Sequence, residues 1–556
     1  MAELKLVVVQ KIISKSQDLL SKKTSSILSA AAIIGFSFLG SALLGLLRNR
    51  LLASHFFGGQ EGILDIYFAA FIIPDTLFQL LVVGAVSASF IPIYQEYHSR
   101  SEEQANWLAK SVLSLVFIAI TVASIVISIF AVPISDSITH FSPEKIIIMA
   151  NLIRIMSVAQ IIFSISAVFT GILQSEQRFL MPALAPLLYN FGTILGVVLL
   201  SNRYGIYAAA FGVVFGSFLH AIVQLPAILR VGFRPQLIFK NFHPGVKEIA
   251  RLMPGRTLSL SLDQVQRWIA INLTSLLVPG SLSIFTFARQ LYILPVSLFG
   301  VSLSQATFPA LSKDALLEDK TQFKSTLTKS ISQIFFFSLP ASVLVLVLRV
   351  PLVRIAFGAK SFPWEATIDT GQSLALLSLS IAPLAVSHTL VRAHHALKDT
   401  KTPLLSGIIS VVFYGILAYI LSKHYSLGII GLCLALSLSN LFDFVLIYYF
   451  LIKKIGYLQI HTKLLKMALV TVLTGYSLWA PMQLLDNFVF DTTRTLPLIA
   501  LTIIASTVGF SVYLVFCWIF KVEELSEVLV IIRKLGNWRK ILASSDEVLE
   551  TTASNT

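Results

Sequence analysis

The chain has 556 residues, of which 56% are apolar and 13% charged, with a mean hydropathy of +0.82. That composition excludes a water-soluble globular domain. The formal net charge of +14 does not point to nucleic acid, because the basic residues fall in short runs between apolar stretches, where they act as topology signals.

Residues 1–25 carry Lys5, Lys11, Lys15, Lys22 and Lys23 without a small-residue cleavage site after a short apolar core. They are expected to be a cytoplasmic N-terminal segment and not a removable signal peptide. A spanning helix needs roughly 20 mostly apolar residues. Such stretches follow near 26–47, 64–94, 108–133, 146–173, 179–201, 205–229, 252–279, 281–310, 327–349, 366–391, 403–422, 427–452, 465–485 and 496–520. The fold class expected is an all-α polytopic membrane protein of about fourteen transmembrane helices. The runs Arg230 to Arg251, Lys313 to Lys329, Lys453 to Lys466 and Lys521 to Lys540 then lie on the cytoplasmic side, available to anionic lipid headgroups. Cys433 and Cys517 both lie inside apolar spans, so neither a disulfide nor a metal framework follows, and no cofactor is expected.

Proline inside a spanning helix frees a carbonyl and kinks the chain, so its recurrence at a fixed offset is informative. Pro74 and Pro295 are 221 residues apart, as are Pro182 and Pro403, Ser201 and Ser422, and Tyr204 and Tyr425. Six spans separate the copies, an even number, so the two halves share one orientation, as in parallel-repeat transporters. The expected organisation is a segment 1–25, an N-lobe 26–230, a basic cytoplasmic loop 231–251, a C-lobe 252–452, two further spans within 453–520 and a cytoplasmic tail 521–556. Two parallel six-helix lobes would leave a central cleft near the midplane, where alternating-access transporters hold substrate. Packing duplication alone is the other reading.

Charged groups at membrane depth are costly and face a wet cavity or a partner. Ser37, Ser41, Gly45 and Arg48 are spaced to stack on one face of the first span, which makes a cavity lining or a packing seam with Arg48 snorkelling to the interface. On the seventh span Arg256, Asp263 and Arg267 fall within about 20° of one line. Asp263 and Arg267 form a potential i,i+4 pair, leaving Arg256 as the freer cation. Arg289 sits beside Gln290 on the eighth span, and Arg154 lies on the fourth. A cleft lined this way favours an anion, and the planar guanidinium fork suits phosphate oxygens, though a carboxylate fits the same chemistry. His220 and His388 read as hydrogen-bonded packing residues.

Ser41, Gly45, Arg48, Phe57-Gly58, Asp65, Ala70-Phe71, Pro74-Asp75, Gly84-Ala85, Ser87, Phe90 and Pro92 stand in an order and spacing that resembles the MurJ/MviN family of lipid II flippases. Leu298-Phe299-Gly300-Val301, Phe308-Pro309 and Leu311-Ser312 extend the likeness. The resemblance covers the whole fourteen-span layout. The sequence departs from the family pattern at Ala42, at Phe78-Gln79, at Val82-Val83 and at Gln290. Carried over position by position, the resemblance implies substrate-binding roles for Ser41, Arg48 and Asp65. Arg256, Arg267 and Arg289 are expected to add charge from other helices, with Gly45, Pro74, Gly84, Pro295 and Gly300 shaping the backbone.

The function so implied is export of lipid II, an undecaprenyl-diphosphate-linked peptidoglycan precursor, from the inner to the outer leaflet of a bacterial inner membrane, with no chemical step. A flippase for another polyprenyl-linked glycan or a small-molecule antiporter on the same fold is the alternative. A membrane-embedded glycan-processing enzyme is more distant, since it needs a carboxylate cluster or a sizeable outer loop. No phosphate-binding Gly-Lys-Ser/Thr loop is present to harness a nucleotide.

Overall fold

In hydrocarbon a backbone amide has no water to pair with, so an apolar chain must satisfy its hydrogen bonds within each segment. The computed structural model describes residues 27–83, 89–359, 361–488 and 495–526, and all regular structure among them is helical. The segment 1–25 and most of the tail 521–556 lie outside the described residues.

Among the described residues each expected span overlaps one or more helices. Eleven helices among the described residues are long and apolar enough to cross a membrane, and a twelfth span is made by Trp364–Ser378 and Ile381–Ala396, which meet at 44°. The expected count of fourteen is therefore not reached by that measure. The two helices outside the group are Ile27–Phe56 and Gly245–Thr274, the second carrying Lys247, Glu248, Arg251, Arg256, Asp263 and Arg267 along its length. The break in the twelfth span follows from Pro383. It has no amide hydrogen and its ring crowds the carbonyl four residues back, so the helix restarts at Ile381.

The recurrent prolines mark recurrent geometry. Pro74 lies inside Glu61–Leu77 and is followed by a π-helical turn, Phe78–Val83. Pro295 ends Ser281–Pro295 and is followed by a π-helical turn, Val296–Val301. Such turns arise where the i→i−4 ladder is interrupted and widened by one residue. Pro182 and Pro403 each stand at the third position of a helix, in Leu180–Tyr204 and Lys401–Tyr419.

The chain divides into two compact units, one of Met1–Gln290, Ala356–Ser373 and Gly407–Ala435, the other of Leu291–Ile355, Leu374–Ser406 and Leu436–Thr556. The first has an apolar core including Phe90, Leu108, Val112, Phe169 and Phe233. Within it, Leu180–Tyr204 crosses Tyr207–Ile222 at backbone contact. A Cβ on Gly196 would stand 2.4 Å from the Gly212 Cα, and one on Gly192 would stand 2.5 Å from the Gly216 Cα. Two glycines four apart on each helix permit that approach. The segment 231–244 is pinned along Glu102–Ile129 by serine hydroxyls, with Ile238 N donating to Ser114 Oγ at 2.8 Å and His243 N to Ser111 Oγ at 2.9 Å. The second unit packs Phe323, Phe336, Leu390, Leu451 and Tyr513 into its own core, where the Tyr513 hydroxyl donates to the Phe336 carbonyl at 2.8 Å.

Candidate functional site

Three helices of the first unit bring their polar residues together. Arg48, on Ile27–Phe56, donates from Nε to Asn49 Oδ1 at 3.2 Å and from Nη1 to Asn190 Oδ1 at 3.2 Å. Asn190 projects from Leu180–Tyr204, and its Nδ2 donates to Ser41 Oγ at 3.1 Å and to the Ser41 carbonyl at 3.2 Å. Asn49 in turn donates to Gln290 Oε1 on Ser281–Pro295. Gly45 lies between, so that a Cβ there would stand 3.6 Å from Gln290 Nε2 and 3.9 Å from Asn190 Oδ1. The Ser41, Gly45, Arg48 stripe thus faces protein and not acyl chains. No carboxylate lies within ion-pair distance of Arg48 among the described residues.

A second cationic group stands nearby in the same unit. Arg267 Nη1 donates to Asp75 Oδ2 at 3.1 Å, and Arg289 acts on Arg267 as a like charge. The pairing expected from spacing, Asp263 with Arg267, does not form among the described residues. Asp263 is exposed, and Arg267 reaches across to the residue that follows Pro74. Gln264 and Trp268, on the same helix, converge on Thr76, with Trp268 Nε1 donating to Thr76 Oγ1 at 3.0 Å. Tyr189 lies within the electrostatic reach of both Arg48 and Asp75 and links the two groups. Among the described residues Arg267 is the guanidinium paired with Asp75, and neither Arg48 nor Arg289 has a carboxylate within ion-pair distance, so the cluster keeps an excess of positive charge.

Asp65 occupies a different kind of place. It is 2% exposed and accepts from Gly280 N at 2.7 Å, Ser283 N at 2.8 Å and Ser283 Oγ at 2.6 Å. These amides open the helix Ser281–Pro295 and would otherwise be buried without a partner. Of the remaining expected residues, the side chain of Arg256 and all of Gly84 lie outside the described residues. Pro74 and Pro295 precede the two π-helical turns. Gly300, in the second unit, sits where a Cβ would stand 2.6 Å from the Ala385 Cα.

Arg154 is exposed and held elsewhere, donating to the Ser128 carbonyl at 3.0 Å and to Asn151 Oδ1 at 2.8 Å. His220 is a packing residue as expected. Its Nδ1 meets Ser166 Oγ at 2.6 Å, in a cluster completed by Gln224 and Thr170. Asn49, Asn190 and Tyr189 were not singled out by sequence reasoning, which followed charge, and Gln290 was noted only as the neighbour of Arg289 and a departure from the family pattern. The available signal was a carboxamide inside an apolar span, which needs a partner there as a charge does.

A family model described as lipid II flippase MurJ matches residues 53–497. A probable lipid II flippase MurJ of Thermotoga maritima is 28% identical over 88% of the chain and 96% of its own length. The lipid II flippase MurJ of Burkholderia cenocepacia is 26% identical over 85% and 93%. Among solved structures, a lipid II flippase MurJ in an inward closed conformation is similar at TM-score 0.73, with 26% identity over 88% of this chain and 98% of that one. An inward-facing multidrug transporter of the MATE family, 16% identical, has a similar fold at TM-score 0.64, covering 76% and 96%.

Proposed function

The chain belongs to the lipid II flippase MurJ family, and from that premise we propose that it carries lipid II from the inner to the outer leaflet of a bacterial inner membrane. The observation that supports this most strongly is the family match over 53–497, which covers the helices carrying Asn190, Arg267 and Arg289 and begins just after Arg48. The disaccharide-peptide head would pass beside that group while the polyprenyl tail stays in lipid. No bond is made or broken, so the chain acts as a transporter and not as an enzyme.

An anionic head entering a low-dielectric site must recover its lost hydration from oriented donors. Arg48 is the first candidate contact for the diphosphate because its guanidinium is oriented by neutral oxygens and not neutralised. Arg289 and Arg267 add charge from neighbouring helices, Ser41 supports the Arg48 arrangement, and Asp65 holds the entrance of Ser281–Pro295 in place. Outward movement of a net negative head is favoured by an inside-negative potential, by about 2.3 kcal/mol per charge per 100 mV. The N-terminus is cytoplasmic in this reading, and the basic cytoplasmic runs rest on anionic headgroups. Expression in a bacterium depleted of its own lipid II flippase tests the assignment. Restored growth is expected, and continued lysis with the protein present in the membrane contradicts it.

A further inference from the structure

Among the described residues Arg48 is oriented by two carboxamides, and the two differ in how firmly they are held. Asn190 is 7% exposed. Its Nδ2 faces three acceptors, Ser41 Oγ at 3.1 Å, the Ser41 carbonyl at 3.2 Å and the Pro186 carbonyl at 3.2 Å. With the nitrogen so engaged, the oxygen is the atom turned to Arg48 Nη1 at 3.2 Å, and the reverse orientation would set donor against donor. The helix Leu180–Tyr204 that carries Asn190 is fixed by its glycine contact with Tyr207–Ile222, so the amide has a rigid base. A carboxylate in the same place would also orient Arg48, but as an ion pair that competes with an incoming anion. A carboxamide orients the cation and leaves its charge whole.

We propose that Asn190 is the positioning residue of the anion site, presenting the Arg48 guanidinium to the substrate diphosphate without neutralising it. This rests on the reading of Arg48 as a diphosphate contact. Asn190 itself need not touch substrate. Its effect passes through Arg48, and it selects for anionic over neutral polyprenyl lipids.

The test uses the full chain purified in detergent, with undecaprenyl diphosphate as probe and undecaprenol as neutral control. Arg48→Ala sets the scale, with an expected loss of about tenfold or more in affinity for the diphosphate and none for the alcohol. Asn190→Asp should lose a comparable factor at pH 8 and regain it, relative to wild type at the same pH, as the introduced carboxyl is protonated. In an Arg48→Ala background Asn190→Asp should cause no further loss. A merely structural role would give a loss independent of pH and of Arg48, and that result overturns the proposal. So does an Asn190→Asp protein that binds like wild type at pH 8 while Arg48→Ala does not. Undiminished diphosphate binding by Arg48→Ala sinks the parent reading instead. If Asn190→Asp fails to accumulate, Asn190→Ser decides. A several-fold, pH-independent loss seen only with Arg48 intact supports positioning, and no loss refutes it.

Discussion

At the scale of single residues, spacing on one helix was enough to place Ser41, Gly45 and Arg48 on a common protein-facing line, because a helix repeats every 3.6 residues wherever it is packed. Their shared partner Asn190 was not legible, since it lies 142 residues from Arg48 and 149 from Ser41. The same limit explains Arg267. Local spacing offered Asp263, and only the fold reveals that Asp75 is in reach. Asp75 therefore has a measurable consequence. Asp75→Asn leaves Arg267 with a neutral partner at membrane depth, and removing one member of such a pair is more costly than removing both. In a thermal-stability cycle, Asp75→Asn and Arg267→Gln should couple by about 0.5–3 kcal/mol. Strict additivity would mean that the pair contributes nothing.

Among elements, the proline repeat marks the two places where an α-helix gives way to a π-helical turn, because a missing amide hydrogen disrupts a helix whatever surrounds it. That each disruption takes the π-helical form, and that Gly300 then lies against Ala385, depends on packing that sequence does not display. Gly300→Ala must displace backbone, with the Ala385 Cα at 2.6 Å and its carbonyl oxygen at 2.9 Å, whereas Gly45→Ala meets only side-chain atoms at ordinary contact distance. Gly300→Ala should lower thermal stability by about 1–3 kcal/mol and Gly45→Ala by much less. Equal melting temperatures would show that the turn yields without cost. In the loop between Ile381–Ala396 and Lys401–Tyr419, Asp399 gathers Lys454, Thr402 and His394. Burial raises its carboxyl, but these hydrogen bonds outweigh it and hold the group well below the usual carboxylate range. A depressed acid stabilises the fold above its unfolded value near pH 4 and ceases to do so as pH falls through the folded value. The stability gap between wild type and Asp399→Asn should thus be constant from pH 8 to 5 and shrink below about pH 4. A gap that widens on acidification contradicts the assignment.

For the whole molecule, composition alone separated a membrane protein from every soluble class, and the helices fall where the apolar stretches lie. The number of crossings was less legible, because Gly245–Thr274 trades apolar surface for Arg267, Gln264 and Trp268 and so resembles a soluble helix in composition. An N-in arrangement with this helix as a full crossing puts Asn202 outside and Glu318 inside. Single cysteines at these exposed positions should therefore label from opposite faces of intact cells. Labelling of both from outside would require one crossing fewer. In the N-in reading the positive charge that composition reports as a total divides between basic cytoplasmic runs and the groups around Arg48 and Arg267, and the account depends on the latter.

That dependence is tested most directly by measuring lipid II exposed on the outer leaflet of flippase-depleted cells that express the chain at matched levels. Wild type should restore export and Arg48→Ala should abolish or severely impair it. Arg48→Lys should recover only part, because a point charge lacks the bidentate fork. Arg154→Gln, whose arginine is bonded to Ser128 and Asn151 away from the site, should export nearly as well as wild type. Normal export by Arg48→Ala, or a greater loss from Arg154→Gln, would contradict the assignment of the Arg48 group to the diphosphate.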